Sequence, residues 1–271
     1  MVDKMRRSRN RIFGNIISML ILQGSNYIFP ILTFPYLVRI LGVESYGILI
    51  FTTGLMYFLN IFVDYGFNIS GTKYISINKN NIRAVTNKYN LIMTIKWILT
   101  ILIGIVFLLI IAFPYFSDRR DAFIISFLII IGNTMFPIWL FQGLEKMKYI
   151  TYINVFSKIL ITIMIFIFVK DSQDLNLAVF FQTMYFIIPG IIAIIFIKFK
   201  FGIKFTPVMN TKKIVEELRY SKYFFTTNLW INFYVRGPVI ILGFLSGNNA
   251  VGNFGIGQRI QGAFSGLVQP I

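Results

Sequence analysis

The chain has 271 residues, 56% of them hydrophobic and only 13% charged, with a mean hydropathy of +0.73. About a quarter of an ordinary soluble domain is charged, so this composition excludes a mainly water-facing surface, and its apolar content excludes disorder. The 26 Lys and Arg against 10 Asp and Glu leave a net +16; in so apolar a chain that excess orients helices in a bilayer and does not mark a nucleic-acid partner.

A helix crosses the ~30 Å hydrocarbon core in about 20 residues. Eight stretches meet that need: 12–38, 46–69, 91–113, 122–143, 150–169, 175–197, 224–245 and 251–271. The predicted fold class is all-α, a polytopic membrane protein. The first span carries Pro30 and Pro35, so its outer end is kinked, which membrane helices tolerate where neighbours meet the freed carbonyls. Trp97, Trp139 and Trp230 lie a few residues inside span ends, where interfacial aromatic belts form. The last span is Gly-rich and contains Gln258, Arg259 and Gln261, so it faces protein or a cavity. There is no Cys and no His, which removes disulfides, thiolate or imidazole metal sites and His- or Cys-based catalysis. No cofactor is expected.

The cations test this layout. With the N-terminus in the cytoplasm, inner segments hold the clusters Lys4–Arg11, Lys73–Lys88, Lys146–Lys148 and Lys198–Lys222. Outer loops hold only Arg39, Arg119, Arg120 and Lys170. That bias, alternating across every loop, predicts both the span count and an N-in orientation. Two inner stretches also read as amphipathic helices at the headgroup level, or as plain linker helices. One is Ile82, Val85, Tyr89 and Ile92; the other is Ile214, Val215 and Leu218 among charges.

A weak internal repeat follows. LGVESYG (Leu41–Gly47) opens the second span and LSGNNAVG (Leu245–Gly252) opens the eighth, at an offset of about 205 residues, each after a proline-containing span. Transporters are often built from such halves. The expected organisation is a six-helix lobe over 1–200, a cytoplasmic linker with an interfacial helix over 201–223, and the start of a second lobe over 224–271. On that pattern the chain resembles the N-terminal portion of a protein of roughly 400 residues.

Charges inside spans are costly, by roughly 2.5–3.5 kcal/mol each on insertion scales. Asp64 is the acid within a predicted span; it either titrates as a proton site or pairs with a cation. Lys96 is expected to snorkel to the inner edge. Lys158, Arg236 and Arg259 sit mid-span, too deep to snorkel, and point to a wet cationic cavity suited to phosphate or pyrophosphate. No paired carboxylates sit at catalytic depth, and no phosphate-cradling Gly-rich loop is present, so no enzyme is expected.

Several stretches resemble a known family. PYLVRILGVESYG (Pro35–Gly47) and VDYGFNISGTKYIS (Val63–Ser76) are similar to the first two helices of bacterial polysaccharide flippases. These are the Wzx-type O-antigen and capsule unit transporters of the MOP exporter superfamily. FPIWLFQGLEKMKYITYINVFSK (Phe136–Lys158) resembles the family's fourth-to-fifth helix signature, and VIILGFLSGNNAVGNF with RIQGAF and Gln269-Pro270 its seventh and eighth helices. The resemblance implies a fold of 12 to 14 membrane helices and movement of an undecaprenyl-pyrophosphate-linked oligosaccharide across the inner membrane by alternating access. It implies membrane lipids as surroundings, with a polysaccharide polymerase and chain-length machinery as partners. Arg39, Asp64, Lys73 and Arg259 match its recurrent polar positions; Arg236 departs from the expected acid or neutral residue. A multidrug exporter of the same superfamily, or an inactive truncated product, is the alternative.

Overall fold

The computed structural model describes residues 2–268, with side chains over 17–262. The side chains of the cluster Lys4–Arg11, and Gln269-Pro270-Ile271, lie outside the described residues. Among those described, the chain is helical throughout, without strands. The α-helices are α1 (Val2–Asp64), α2 (Phe67–Asn78), α3 (Ile82–Ile111), α4 (Arg120–Ser126), α5 (Leu128–Met135), α6 (Ile138–Gly143), α7 (Met147–Phe168), α8 (Leu175–Lys200), α9 (Thr211–Leu245) and α10 (Gly247–Val268).

Among the described residues, six helical stretches are long and apolar enough to cross a bilayer. The first of them, Ile17–Asp64, has 48 residues. At 1.5 Å per residue that is about twice the hydrocarbon thickness. It folds back at Gly42, whose φ of 77° and ψ of 167° only glycine adopts cheaply. Its course is fixed by three contacts. Thr151 donates to the Ser18 carbonyl at 2.7 Å, Tyr36 donates to the Val169 carbonyl at 2.6 Å, and Asp64 returns to Lys96. α7 therefore runs alongside the first crossing, and α1 supplies two crossings. α10, too polar to qualify on hydropathy, packs against the second of them.

Segments predicted to share a side do meet. At one end, Lys79 pairs with Glu145, Lys88 with Glu217, and Asn90 donates to Thr206. At the other end, Tyr115 donates to the Gly243 carbonyl and Arg119 to the Asn248 side chain. Two aromatic cores lie between. One joins Phe51, Phe116 and Phe123 in edge-to-face contacts of 5.0–5.5 Å. The other surrounds Trp139 with Phe67, Tyr89 and Phe141.

Several local expectations are corrected. The second crossing ends at Asp64, not 69, because Tyr65 and Gly66 take left-handed backbone (φ 44° and 78°) and redirect the chain into α2. The span 122–143 is three short helices. Pro137 offers no N–H, and Phe136 before it is extended (φ −104°, ψ 91°), as a pre-proline residue prefers. The stripe Val85, Tyr89, Ile92 is buried, continuous with the third span, and packs on Trp139 and α2 instead of on lipid. Ile214 and Leu218 are half-buried in α9, which runs unbroken from Thr211 through the seventh span, so no separate flat helix forms there. Trp139 is wholly buried, outside any interfacial belt; Trp230 is exposed.

Candidate functional site

A cavity of about 350 Å³ opens among the helices, walled by α1, α7, α8, α9 and α10. Lys158, Arg236 and Arg259 all line it, each from a different helix. Among the described residues no carboxylate does. Three acids of the spans and their flanks are engaged elsewhere: Asp64 with Lys96 at 3.2 Å, Glu145 with Lys79 and Glu217 with Lys88. Lys158 meets neutral partners, the Asn26 side chain and Ser25 Oγ at 3.4 Å. Arg236 lies over the Tyr57 ring, 4.8 Å from its centroid. Arg259 lies near the hydroxyls of Tyr46 and Tyr185. Three like charges around a small space in low dielectric favour an anion between them.

The walls follow from local sequence. Pro30 and Pro189 each lack an N–H, so the carbonyls four residues earlier, Asn26 and Tyr185, lose their helical donor. Asn26, Pro30 and Tyr185 all line the cavity. Irregular backbone in a membrane is tolerated where it borders protein or a wet space. Lys158 and Asn154 are one turn apart on α7 and reach the cavity together. α8 is held close to α5 by Gly132 and Gly190: a Cβ on Gly132 would lie 2.5 Å from the Phe186 carbonyl carbon.

A second cavity, about 240 Å³, adjoins the first; both are lined by Tyr57 and Arg236. Asp64 borders it. Its partner Lys96 is only 3% exposed, so Lys96 does not snorkel: it is a buried partner of Asp64. Asp64 thus has the cation partner that one of its two readings required. Arg39 and Lys73 are exposed and line neither cavity, so they do not join the other four.

Attention to charges alone missed the amides. Asn26, Asn60, Asn154, Gln182, Asn228 and Asn232 line one cavity or the other. The signal was present as polar residues one turn apart in apolar helices: Asn154 and Lys158, Asn60 and Asp64, and Asn228, Asn232 and Arg236. Such residues share a face.

These features define a multi-pass helical membrane protein with a ligand-sized polar space inside its bundle. The chain belongs to the polysaccharide biosynthesis protein family, which it matches over residues 12–271. It is 38% identical over 260 residues to the "Putative O-antigen transporter" of Escherichia coli (strain K12), covering 95% of this chain and 62% of that protein. It is 30% identical over 263 residues to a protein of the same name from Shigella dysenteriae, covering 95% and 64%. The chain thus spans somewhat less than two thirds of the curated relatives' length. No solved structure matches.

Proposed function

We propose that this chain serves a flippase that moves a lipid-linked oligosaccharide across the bacterial inner membrane for surface polysaccharide synthesis. The observation that carries this reading is the convergence of Lys158, Arg236 and Arg259 on a cavity that no carboxylate lines among the described residues. A pyrophosphate is the substrate part such a site suits. Guanidinium groups hold its oxygens in bidentate fashion, and the lysine supplies a point charge. Exclusion of bulk water strengthens each interaction. The cavity repels organic cations, which disfavours a multidrug exporter. Transport, and no chemical step on the substrate, is the activity. The names of the two relatives, both O-antigen transporters, agree with that substrate class.

In this reading the N-terminus is cytoplasmic, as the cation bias requires. Residues 1–200 form one lobe and 224–271 belong to a second, with the substrate between them. Alternating access then exposes the cationic cavity to each side in turn. The polymerase and chain-length machinery act on the delivered unit.

The test is genetic and direct. Deleting the gene is expected to abolish surface polysaccharide, and restoring it to recover it. A copy carrying Lys158→Gln, Arg236→Gln and Arg259→Gln is expected to insert and accumulate normally yet fail to restore polysaccharide. Full restoration by that copy would remove the anionic-ligand argument.

A further inference from the structure

The second cavity differs in chemistry from the first. Asn60, Asn68, Asn228 and Asn232 line it with Asp64 and Arg236. Two of these amides come from α9, one turn apart; the other two come from the end of α1 and the start of α2, across the gap. Helix packing accounts for only part of them. Asn232 donates to the Asn228 carbonyl at 2.9 Å. The Asn60 Oδ1 atom, by contrast, is buried and has no hydrogen-bond partner among the described residues, and the same holds for Arg236 Nε. A buried polar atom left unmet is costly, so such atoms commonly mark a place where a ligand or water bonds.

A carboxamide presents one acceptor and two donors. Four of them around a small space can meet the mixed donor and acceptor pattern of sugar hydroxyls and acetamido groups. They carry no net charge, so they do not themselves attract phosphate. Asp64, on the same wall, accepts from a hydroxyl and disfavours a phosphate oxygen. Arg236 and Tyr57 belong to both cavities, so one elongated ligand touching Arg236 can occupy the two spaces together.

We propose that this amide-lined cavity is a sugar site, binding the hydroxyl and acetamido groups of the unit whose pyrophosphate occupies the cationic cavity. The inference rests on the flippase reading above and adds to it a division of labour. Lys158 and Arg259 answer the charge, while Asn60, Asn68, Asn228 and Asn232 answer the sugar.

Binding to the full chain in nanodiscs tests it with two probes: farnesyl pyrophosphate, and farnesyl pyrophosphate bearing N-acetylglucosamine. The glycosylated probe is expected to bind about ten-fold more tightly, the equivalent of one to three ordinary hydrogen bonds. Asn60→Ala with Asn232→Ala should erase that preference and leave the bare probe's affinity unchanged. Asn68→Ala with Asn228→Ala, a pair that includes the exposed Asn68, should reduce it in the same direction if the first pair folds poorly. Lys158→Gln with Arg259→Gln should weaken both probes alike. A preference unchanged in both asparagine pairs, or equal loss of both probes in both pairs, overturns the sugar site. Equal wild-type affinity for the two probes also overturns it while leaving the pyrophosphate reading standing. Failure of the wild type to bind either probe overturns both.

Discussion

The two ends of this bundle are held together by different physics. At the end carrying Gly42 and Gly247, backbones touch. A Cβ on Gly47 would sit 1.9 Å from the Asn248 carbonyl oxygen, and one on Gly252 2.3 Å from that of Val43. Gly243 lies as close to the Phe51 ring. At the opposite end, α9 meets α2, α3 and the turn between α1 and α2 through one close approach, at Gly66, through Ile214 and Leu218 on the second core, and through a set of polar groups. Lys88 pairs with buried Glu217, and Ser70 bonds Ser221 at 2.8 Å. The loop before α9 is tied by Asn90 and Thr94. The difference teaches where an opening motion costs least. Polar contacts can be exchanged for water as they part, whereas interlocked glycine surfaces lose dispersion contacts with nothing in return. On these grounds the polar end is the one more readily opened.

The largest expected effect lies in that polar end. Breaking a buried ion pair by removing one partner costs about 3–5 kcal/mol, because a buried charge is stranded. The two partners are not equivalent. Without Glu217, Lys88 still lies over the Tyr74 ring at 4.4 Å and near that of Tyr220. Without Lys88, the Glu217 carboxylate has nothing comparable, and its Oε1 already lacks a partner. Lys88→Met should therefore lower thermal stability in detergent more than Glu217→Gln does, and Lys88→Met with Glu217→Met should recover most of the loss. Equal losses for the two single variants would contradict this account.

Next in size is the glycine end. Gly252→Ala and Gly47→Ala should each cost about 1–3 kcal/mol, since neither backbone neighbour can move aside cheaply. Gly257, on the same helix as Gly252, meets nothing within 4 Å. Gly257→Ala should be neutral or stabilising by up to about 1 kcal/mol, as in any helix interior. Similar melting points for Gly252→Ala and Gly257→Ala would remove the steric half of the comparison. A smaller effect returns to the polar end. Lys79 and Glu145, at 2.5 Å, are each about a third exposed. Lys79→Ala should cost under about 1 kcal/mol, and the cost should shrink in high salt, unlike that of Lys88→Met.

Much of this was legible in the sequence, for definite reasons. The long apolar helices, and which loops share an end, followed from apolar length and cation bias, because a bilayer imposes both; the eight predicted spans appear among the described residues as six long apolar stretches, the first folded back at Gly42, with α10 beside them. The glycine turns were visible too: Gly42 and Gly247, 205 residues apart, both have positive φ (77° and 80°). Lys158, Arg236 and Arg259 stood out because charge at depth needs a reason. Three things were not legible. Periodicity showed that Val85, Tyr89 and Ile92 form one face, but a face says nothing of its partner; Trp139 covers it, where lipid was expected. Depth alone made Lys96 look like a snorkelling residue, since its pairing with Asp64 depends on how two distant helices cross. The asparagines carry no charge, so the insertion penalty that flags a lysine hardly flags them.

The smallest expected effect tests whether protons act at the glycine-packed end at all. Asp174 closes the turn between α7 and α8, where its Oδ2 accepts from the Lys170 and Asp171 backbone N–H groups at 2.8 and 2.9 Å. Those two bonds hold its carboxyl below the ordinary value of 3.8. They favour the ionised form, so the proton is bound more weakly in the folded turn than in the unfolded chain. The sign then follows from linkage. The stabilisation is fully present above the unfolded pKa and is lost as pH falls through the lower, folded value. Asp174→Ala should lower the melting temperature slightly and equally at pH 7 and pH 5, with the gap to wild type closing only below about pH 4. A gap that closes between pH 7 and pH 5 would show that some other group, not this turn, links this end of the bundle to protons.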